Sequence, residues 1–589
     1  MQFKSNKIHI VDIILIAVLA SVLLTVLCLP SLMKLSGINL NEPLAGNISL
    51  NVYDMRRVLM TFPLIFLSFI YIYSNQARSY LFLAINNLPN LIKTCLVVYI
   101  TTAITGSLIS IAPLQSLLVS AEQILLIGLI MFISGMVYNR PYILKIILIA
   151  FVLISIVYTL LSLWIYFYLY FKGVKLPGNQ YIHNVIYFYL SFTNARFFGQ
   201  YLTWVLPLLS LPLLYKTSKW IRCFVFLLLV YFWMLLLING SEALYIEWAI
   251  IYIITPFIFH RHTIRFLLFN ILASVLGLCI AYLMTDSSLH NQVILLITYA
   301  IIFIFHICYI SFINRIIINI STLKKMLIAI AVVFIIAVFI YKNLGYLSHI
   351  LIDNGRFNII RVTLLPLYHN LLLGIGSGLT PFYGLEFASN GMSVIVSQPH
   401  NFLVRILAEN GLIGFICIFI PIFIGIVAVI KKCLEYRKNN NILPKHIILF
   451  AIMLSAILHA QVSGLLEMPV SQFMGAIIVG VMLAEFSSAC PYKHVKYSKM
   501  TQQVIISFLV LLASYMLFVS YSSVVNISNT AKTRNCGMTE SPFYWFVGTS
   551  AIDFPGQYFC FRKNYPELEY WSIYGPYQIR FKNNQEVNN

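Results

Sequence analysis

The stretch ILIAFVLISIVYTLLSLWIYFYLYF, residues 147–171, indicates the fold class, because none of its side chains is charged. An α-helix of about 20 apolar residues is long enough to cross a bilayer. Similar runs recur along all 589 residues, which are 60% hydrophobic and 10% charged with a mean hydropathy of +0.89. Soluble domains carry about 25% charged residues. The sequence therefore predicts an all-α polytopic membrane protein and excludes a soluble enzyme, a disulfide-rich scaffold and a β-barrel of alternating strands.

The apolar runs predict about 12–15 transmembrane helices. Their candidate starts lie near Asp12, Val58, Leu91, Leu117, Ile143, Tyr201, Phe224, Ala243, Ile264, Val293, Met326, Leu412, Ile447, Phe473 and Val504. Lys and Arg number 38 against 18 Asp and Glu, a net charge of +20, and they recur in every second connection. Basic connections stay cytoplasmic, so the N-terminus is expected inside and the C-terminus outside. The charge excess therefore indicates topology rather than nucleic-acid binding.

This topology predicts four segments along the chain. Residues 1–341 hold the N-terminal helices and an outer loop at 172–200, residues 342–411 form a large outer loop, residues 412–523 hold the C-terminal helices, and residues 524–589 form an aromatic-rich outer tail. Long ordered connections tend to carry function, which places the chemistry outside. In the tail, Cys536 and Cys560 are candidates for a disulfide. The sequence has no C-x-x-C pair or His/Cys cluster, so no metal site is expected.

The large outer loop contains a candidate general base, His400. Pro399 and Asn410-Gly411 are typical of the start and the end of a short helix, which places His400 in its first turn. The helix dipole disfavours imidazolium there, so a neutral ring could accept a proton from an alcohol. The alternative is a histidine that only caps a loop. Asn401, Arg405 and Glu409 share another face of this helix, where a surface Arg405–Glu409 ion pair explains two of them without function.

Arginines lie on the same predicted side of the membrane. Arg356 and Arg361 belong to the large outer loop, and Arg196 belongs to the earlier one. Guanidinium groups there could bind a diphosphate and offset its charge as it leaves, or they could contact lipid headgroups. The glycines of Leu373-Gly-Ile-Gly-Ser-Gly378 either permit a turn or let backbone N–H groups cradle a phosphate. Together with His400, the arginines favour group transfer from a diphosphate.

These motifs resemble the O-antigen ligase superfamily, which includes bacterial protein O-oligosaccharyltransferases and is related to the O-antigen polymerases. The resemblance rests on Gly355-Arg356, Gly374-Ile-Gly-Ser-Gly378, Pro399-His400-Asn401, Leu403, Glu409-Asn-Gly-Leu412, Gly414 and Asn194-Ala-Arg-Phe-Phe-Gly-Gln200. It implies a GT-C-like fold in the bacterial inner membrane and an active site on the periplasmic side. It also implies an inverting, metal-independent and cofactor-free transfer of a glycan from a polyprenyl-diphosphate carrier to a hydroxyl.

The resemblance assigns roles to single residues. His400 matches the histidine proposed to activate the acceptor, and Arg196 and Arg356 match arginines near the diphosphate. The predicted donor site is completed by Arg361, Asn401, Arg405 and Gln200. Glu242 departs from the pattern because many relatives have an arginine after Gly-Ser, so it either faces the acceptor or begins the next helix. Glu409 is a further possible site residue, and Glu467 either orients a sugar hydroxyl or marks the membrane interface.

The acceptor and the reaction stay open at this point. The acceptor of a ligase is lipid A–core or a pilin-like protein with serine or threonine, whereas a polymerase would extend another lipid-linked glycan. A non-enzymatic lipid-glycan flippase is the alternative of another class. A flippase needs polar groups along a path through the membrane, where Glu122 and Glu247 are the main charges. Because polarity gathers at one face instead, the sequence favours transfer chemistry.

Overall fold

The computed structural model describes residues 10–35, 52–110, 113–171, 195–215, 217–239, 242–259, 263–285, 354–368, 370–380, 399–466, 469–486 and 498–530. Every regular element within these ranges is helical, as predicted. The helices are α1 Ile10–Leu35, α2 Val52–Tyr73, α3 Asn75–Asn87, α4 Asn90–Leu108, α5 Pro113–Asn139, α6 Tyr142–Phe171, α7 Ala195–Leu214, α8 Lys219–Asn239, α9 Glu242–Ile258, α10 Thr263–Thr285, α11 Asn354–Leu364, α12 Phe402–Lys438, α13 Pro444–His459, α14 Pro469–Phe486 and α15 Lys499–Thr530, with a 3-10 turn at Leu365–Tyr368.

Several of these helices are long and apolar enough to cross a membrane, as expected of a polytopic membrane protein. Six pass on length and composition: Asn90–Leu108, Ser116–Asn139, Tyr142–Trp164, Lys219–Leu237, Phe402–Lys438 and Lys499–Phe518. The bent pair Leu59–Tyr73 and Asn75–Asn87 makes a seventh if it is one span. Other predicted spans coincide with shorter apolar helices of 10–17 residues, among them Ala243–Ile258 and Pro444–His459. The predicted spans near Val293 and Met326 lie outside the described residues.

At the predicted span near Val58, α2 and α3 form a bent pair that meets at Ser74. The axes of its two halves differ by 106° there. The Ser74 hydroxyl accepts a hydrogen bond from the N–H of Ala77 at 3.2 Å, so it caps the second half, α3, as a separate helix. α3 is much less apolar than its neighbours and carries Arg78, which the alternation of basic connections places between two predicted spans.

The helices form two compact units, each assembled from segments far apart in sequence. The first unit comprises Met1–Ile147, Asn354–Ala428 and Ser463–Asn589. Its central helix is α5, against which α3, α4, α14 and α15 pack. Small residues let the backbones approach: a Cβ atom added at Gly135 of α5 would lie 1.9 Å from the Tyr80 carbonyl oxygen of α3. No side chain larger than hydrogen fits at that crossing.

The second unit comprises Leu148–Asp353 and Val429–Val462. Within it α8 packs against α7 and α10, and α13 packs against α7 and α9. An aromatic cluster fills its interior, where the Tyr158 and Tyr201 rings lie 5.5 Å apart between centroids and Phe232 lies beside both. α13 thus lies between α7 and α9 and packs against both of them.

Candidate functional site

The helix that carries the predicted site begins at Phe402, not at Pro399. The Oδ1 atom of Asn401 accepts a hydrogen bond from the N–H of Val404 at 3.0 Å, so Asn401 is the N-cap. His400 therefore precedes the helix instead of lying in its first turn, and the prediction was wrong on this point. The proline ring did not start the helix because the Asn401 amide provides a better cap one residue after His400.

His400 has an unusual backbone. Its φ is 52°, in the left-handed region that few non-glycine residues adopt, although histidine is enriched there relative to most. Its side chain is half-buried. The only other non-glycine residue with positive φ in the described part of the chain is Asn440, at 53°. A residue held in such a conformation is fixed by its surroundings.

The predicted end of the short helix at Asn410-Gly411 is confirmed. Gly411 has φ 64° and ψ −172°, which interrupts α12 and separates residues 402–410 from the long apolar stretch that follows. A Cβ atom at Gly411 would lie 2.3 Å from the carbonyl oxygen of Leu372. The N–H of Leu412 donates to the carbonyl of Leu371 at 2.9 Å. The glycine is thus required both by its backbone angles and by the segment packed on it.

That segment is the glycine-rich turn predicted from the sequence. Gly374, Gly376 and Gly378 all have positive φ, at 74°, 102° and 75°. The N–H of Ile375 donates to the carbonyl of Ala408 at 3.1 Å, and the N–H of Gly376 donates to that of Glu409 at 2.9 Å. These two N–H groups therefore bind the short helix and are not available to a phosphate. Of the two sequence interpretations, the structure favours the turn.

The Arg405–Glu409 pair forms, but it is not on the surface. Nε of Arg405 lies 3.1 Å from Oε1 of Glu409, and only 7% and 1% of the two side chains are exposed. The hydroxyl of Thr380 donates to the same oxygen at 2.9 Å. The interpretation as an exposed ion pair was therefore wrong, because the glycine-rich turn covers the pair. Because Nε of Arg405 is engaged by Glu409, a contact of Arg405 with a donor would involve its two Nη groups.

A row of buried hydroxyls, which the sequence analysis missed, anchors the turn within the first unit. Ser377 donates to Oδ1 of Asn410 at 3.1 Å and accepts from Ser120 at 2.9 Å. Ser107 lies 2.9 Å from Ser120 and accepts from Ser116 at 2.8 Å. Serines spaced through apolar runs were the available signal. We call residues 370–380 and 399–411 the His400 platform; its polar side chains hold the turn and the short helix together.

A second polar cluster lies in the second unit. Nδ1 of His459 on α13 lies 2.5 Å from Oε1 of Glu247 on α9. Ser455 donates to Oε2 of Glu247 at 2.6 Å, and Oγ1 of Thr203 on α7 lies 3.1 Å from His459 Nδ1. All four side chains are buried. We call these residues the Glu247 cluster; the sequence analysis noted Glu247 but had no local signal for His459.

The remaining predicted residues are placed as follows. Arg361 is exposed on α11, which also contains Arg356, and Gln200 is buried on α7, which also contains Arg196. Glu242 is the first residue of α9, as the helix-start interpretation expects. The side chains of Arg196, Arg356 and Glu242, and the whole of Glu467, Cys536 and Cys560, lie outside the described residues. Within the described ranges no group of three or more His, Cys, Asp or Glu side chains could hold a metal ion.

No protein-family model matches this chain, and no curated protein matches it either. The resemblance to the O-antigen ligase superfamily rests on the quoted motifs alone.

Proposed function

We propose that this protein is an O-antigen ligase-like glycosyltransferase, which moves a glycan from a polyprenyl-diphosphate carrier to a hydroxyl acceptor. The observation that carries the proposal is the backbone of His400, whose φ of 52° immediately precedes a capped helix. A non-glycine residue in a sparsely populated region costs about 1–3 kcal/mol and such residues cluster at active sites. Surroundings that maintain this conformation are consistent with a base that must be held in one position.

The His400 platform supports the proposal by its rigidity. The short helix after His400 is fixed by the buried Arg405–Glu409 pair and by backbone hydrogen bonds to the glycine-rich turn. A catalytic group is effective when its own surroundings lock its position, because the entropy of alignment is then lost before the reaction. In this proposal Arg405 and Glu409 position His400, and other residues contact the diphosphate-linked glycan donor.

The proposed reaction is an inverting displacement. The His400 ring takes the proton of the acceptor hydroxyl while its oxygen forms a bond to the anomeric carbon, on the face opposite the diphosphate. The bond from that carbon to the diphosphate oxygen breaks, and polyprenyl diphosphate leaves with the electron pair. Arg196 and Arg356 are the proposed cations that offset its charge. Arg361, Gln200 and Asn401 remain proposed donor contacts, with Asn401 already engaged as the helix cap.

The proposed setting is the periplasmic face of a bacterial inner membrane. The donor is a polyprenyl-diphosphate-linked glycan, and the acceptor is lipid A–core or a pilin-like protein. A polymerase that extends a lipid-linked glycan uses the same chemistry. The Glu247 cluster favours a flippase as the second candidate function, because buried ionisable groups in a membrane protein often mark a transport path.

The decisive experiment is transfer of a radiolabelled glycan in proteoliposomes. Polyprenyl-diphosphate glycan is supplied with lipid A–core in one reaction and with a pilin-like protein in another. His400→Asn retains a residue type that tolerates the left-handed backbone but removes the base. We expect it to lower the rate about 100-fold or more, in line with the loss of a general base.

A matched control separates chemistry from backbone strain. His400→Ala and Asn440→Ala both place alanine at a left-handed position of nearly equal φ, 52° and 53°. We expect only the His400 variant to lose transfer. Undiminished transfer by His400→Asn would exclude His400 as the base. If the label changes leaflet without changing its covalent partner, the protein is a flippase; if it grows on the lipid carrier, the protein is a polymerase.

A further inference from the structure

Three helices of the second unit meet at one of its ends. The guanidinium of Arg437, near the end of α12, donates to the carbonyl of Phe257 at the end of α9 at 2.6 Å. The rings of Tyr436 and His446 stack with 4.3 Å between their centroids, which joins the end of α12 to the start of α13. The end of α9, the end of α12 and the start of α13 are therefore neighbours.

Two more helices begin at this same end. α10 starts at Thr263, whose hydroxyl donates to the carbonyl of Phe259 just after α9 at 2.8 Å. About two turns into α8 and α10, the rings of Phe226 and Phe269 lie 6.2 Å apart. Further along both helices, Met234 lies beside Gly277. The two helices thus run parallel, and α8 starts beside α10.

Basic side chains gather at these five helix ends. They are Lys219, Arg222, Arg265, Lys431, Lys432, Arg437, Lys438 and Lys445, which we call the basic end. Glu435 is the single acidic residue among the described residues of these helix ends, and its carboxylate is 2.8 Å from Nζ of Lys432. Lys219, Lys431 and Lys438 are exposed. The surface therefore carries a large positive excess, which favours an anionic partner.

Large apolar side chains are exposed beside these cations. Trp220 directly follows Lys219 and is 71% exposed, and Phe257 at the end of α9 is 72% exposed. Leu434 and Leu443 are exposed nearby on and after α12. Tryptophan is enriched at the level of lipid headgroups, and lysine stems lie along apolar surface while the ammonium group stays at the interface. The basic end thus presents cations and a hydrocarbon-binding surface together.

We propose that the basic end is a binding surface for anionic phospholipid. The exposed lysines contact the headgroup phosphates, and Trp220 and Phe257 contact the adjoining acyl chains. A soluble phosphate would match the cations but would leave the apolar side chains uncovered. The inference does not depend on the proposed glycosyl transfer, because no residue of the His400 platform takes part. Each basic side chain near an anionic membrane surface raises the binding constant about fivefold.

The test counts phospholipids bound to the full chain in detergent micelles by native mass spectrometry. Phosphatidylglycerol, with one negative charge, is compared with phosphatidylcholine, which has the same acyl chains and no net charge. Three exposed lysines at about fivefold each predict that phosphatidylglycerol binds about 100-fold more tightly. Raising the salt concentration should reduce this preference, because it screens exposed charges. Equal affinity for the two lipids overturns the proposal without any variant.

A triple variant locates the binding surface. Lys219→Gln, Lys431→Gln and Lys438→Gln together remove three exposed charges and leave the apolar side chains in place. We expect the affinity for phosphatidylglycerol to fall about 100-fold and the affinity for phosphatidylcholine to stay unchanged. An unchanged affinity for phosphatidylglycerol would mean that the lipid binds elsewhere. If this variant does not fold, the comparison of the two lipids on the wild type still decides.

A second triple variant is the matched control. Lys93→Gln, Lys145→Gln and Lys499→Gln change the net charge equally, but these lysines belong to the first unit. We expect it to bind phosphatidylglycerol as the wild type does. Equal losses in the two triple variants would reflect net charge alone and overturn the proposal. Displacement of the lipid by inorganic phosphate or by a single-stranded oligonucleotide, at equal concentration of phosphate groups, would assign the surface to that anion instead and also overturn it.

Discussion

Two buried glutamates, one in each unit, have similar surroundings but differ in the partner that balances their charge. Glu409 in the His400 platform faces Arg405 and accepts from Thr380, whereas Glu247 faces His459 and accepts from Ser455. Arginine stays protonated at any pH that proteins tolerate, while histidine changes charge near neutrality. The first pair is therefore a permanent ion pair, whereas the second is a contact between a carboxylate and an imidazole.

The largest expected effect comes from breaking the permanent pair. Arg405→Leu leaves the carboxylate of Glu409 buried without its cation, which typically costs about 3–5 kcal/mol. We expect a loss of that size in the free energy of unfolding, measured by SDS-induced unfolding at pH 7.

The double variant Arg405→Leu with Glu409→Leu is the matched control. It removes both charges, so most of the lost stability should return. Stability that stays low in the double variant would mean that Arg405 acts through packing instead of charge.

The next effect tests the turn that covers this pair. In Gly374→Ala, the added Cβ atom would lie 2.4 Å from the backbone nitrogen of Gly411 and 2.5 Å from the carbonyl oxygen of Glu409, at a φ of 74°. Rigid backbone on both sides cannot move without breaking the platform. We expect the free energy of unfolding to fall by about 3 kcal/mol.

Gly425→Ala on α12 is the comparison for that substitution. A Cβ atom there meets nothing within 4 Å, so stability should stay the same or rise by up to about 1 kcal/mol through helix propensity. Equal losses in the two alanine variants would contradict the close packing of the turn. Measurement of the unfolding midpoint for both in the same detergent decides between these outcomes.

The two clusters also differ in how far the sequence predicted them. Arg405 and Glu409 are four residues apart on one helix, a spacing that indicates contact directly. The end of the short helix at Gly411 was also predictable, because glycine readily adopts the positive φ found there. Burial of the pair was missed because it depends on a turn about 30 residues earlier, around Ser377. The contact of His459 with Glu247 is between distant parts of the chain and has no signal in local periodicity.

Capping explains the other differences from prediction. Asn401 and Ser74 each accept a backbone hydrogen bond from the residue three positions later, and each thereby fixes a helix start that apolar periodicity does not show. At Ser74 the result is a sharp bend between α2 and α3. At Asn401 it places His400 before the helix, which changes the histidine from a first-turn residue to one with a left-handed backbone.

A smaller effect is expected from the hydroxyl groups beside the two carboxylates. Thr380→Val and Ser455→Ala each remove one donor to a buried glutamate with little change in volume. We expect each to cost about 1 kcal/mol in the free energy of unfolding at pH 6. A clearly larger loss for one of them would show that its carboxylate depends more on that hydroxyl than on Arg405 or His459.

The smallest effect is expected where an ion pair is not enclosed. Nζ of Lys432 lies 2.8 Å from Oε2 of Glu435 near the end of α12, a shorter separation than in the Arg405 pair, yet 45% of the Glu435 side chain is exposed. Solvent screens such a pair and the long side chains lose entropy when they form it. Lys432→Met should therefore leave the unfolding midpoint unchanged within error. A loss comparable to that of Arg405→Leu would mean that distance, and not enclosure by the surrounding helices and turn, determines the strength of these pairs.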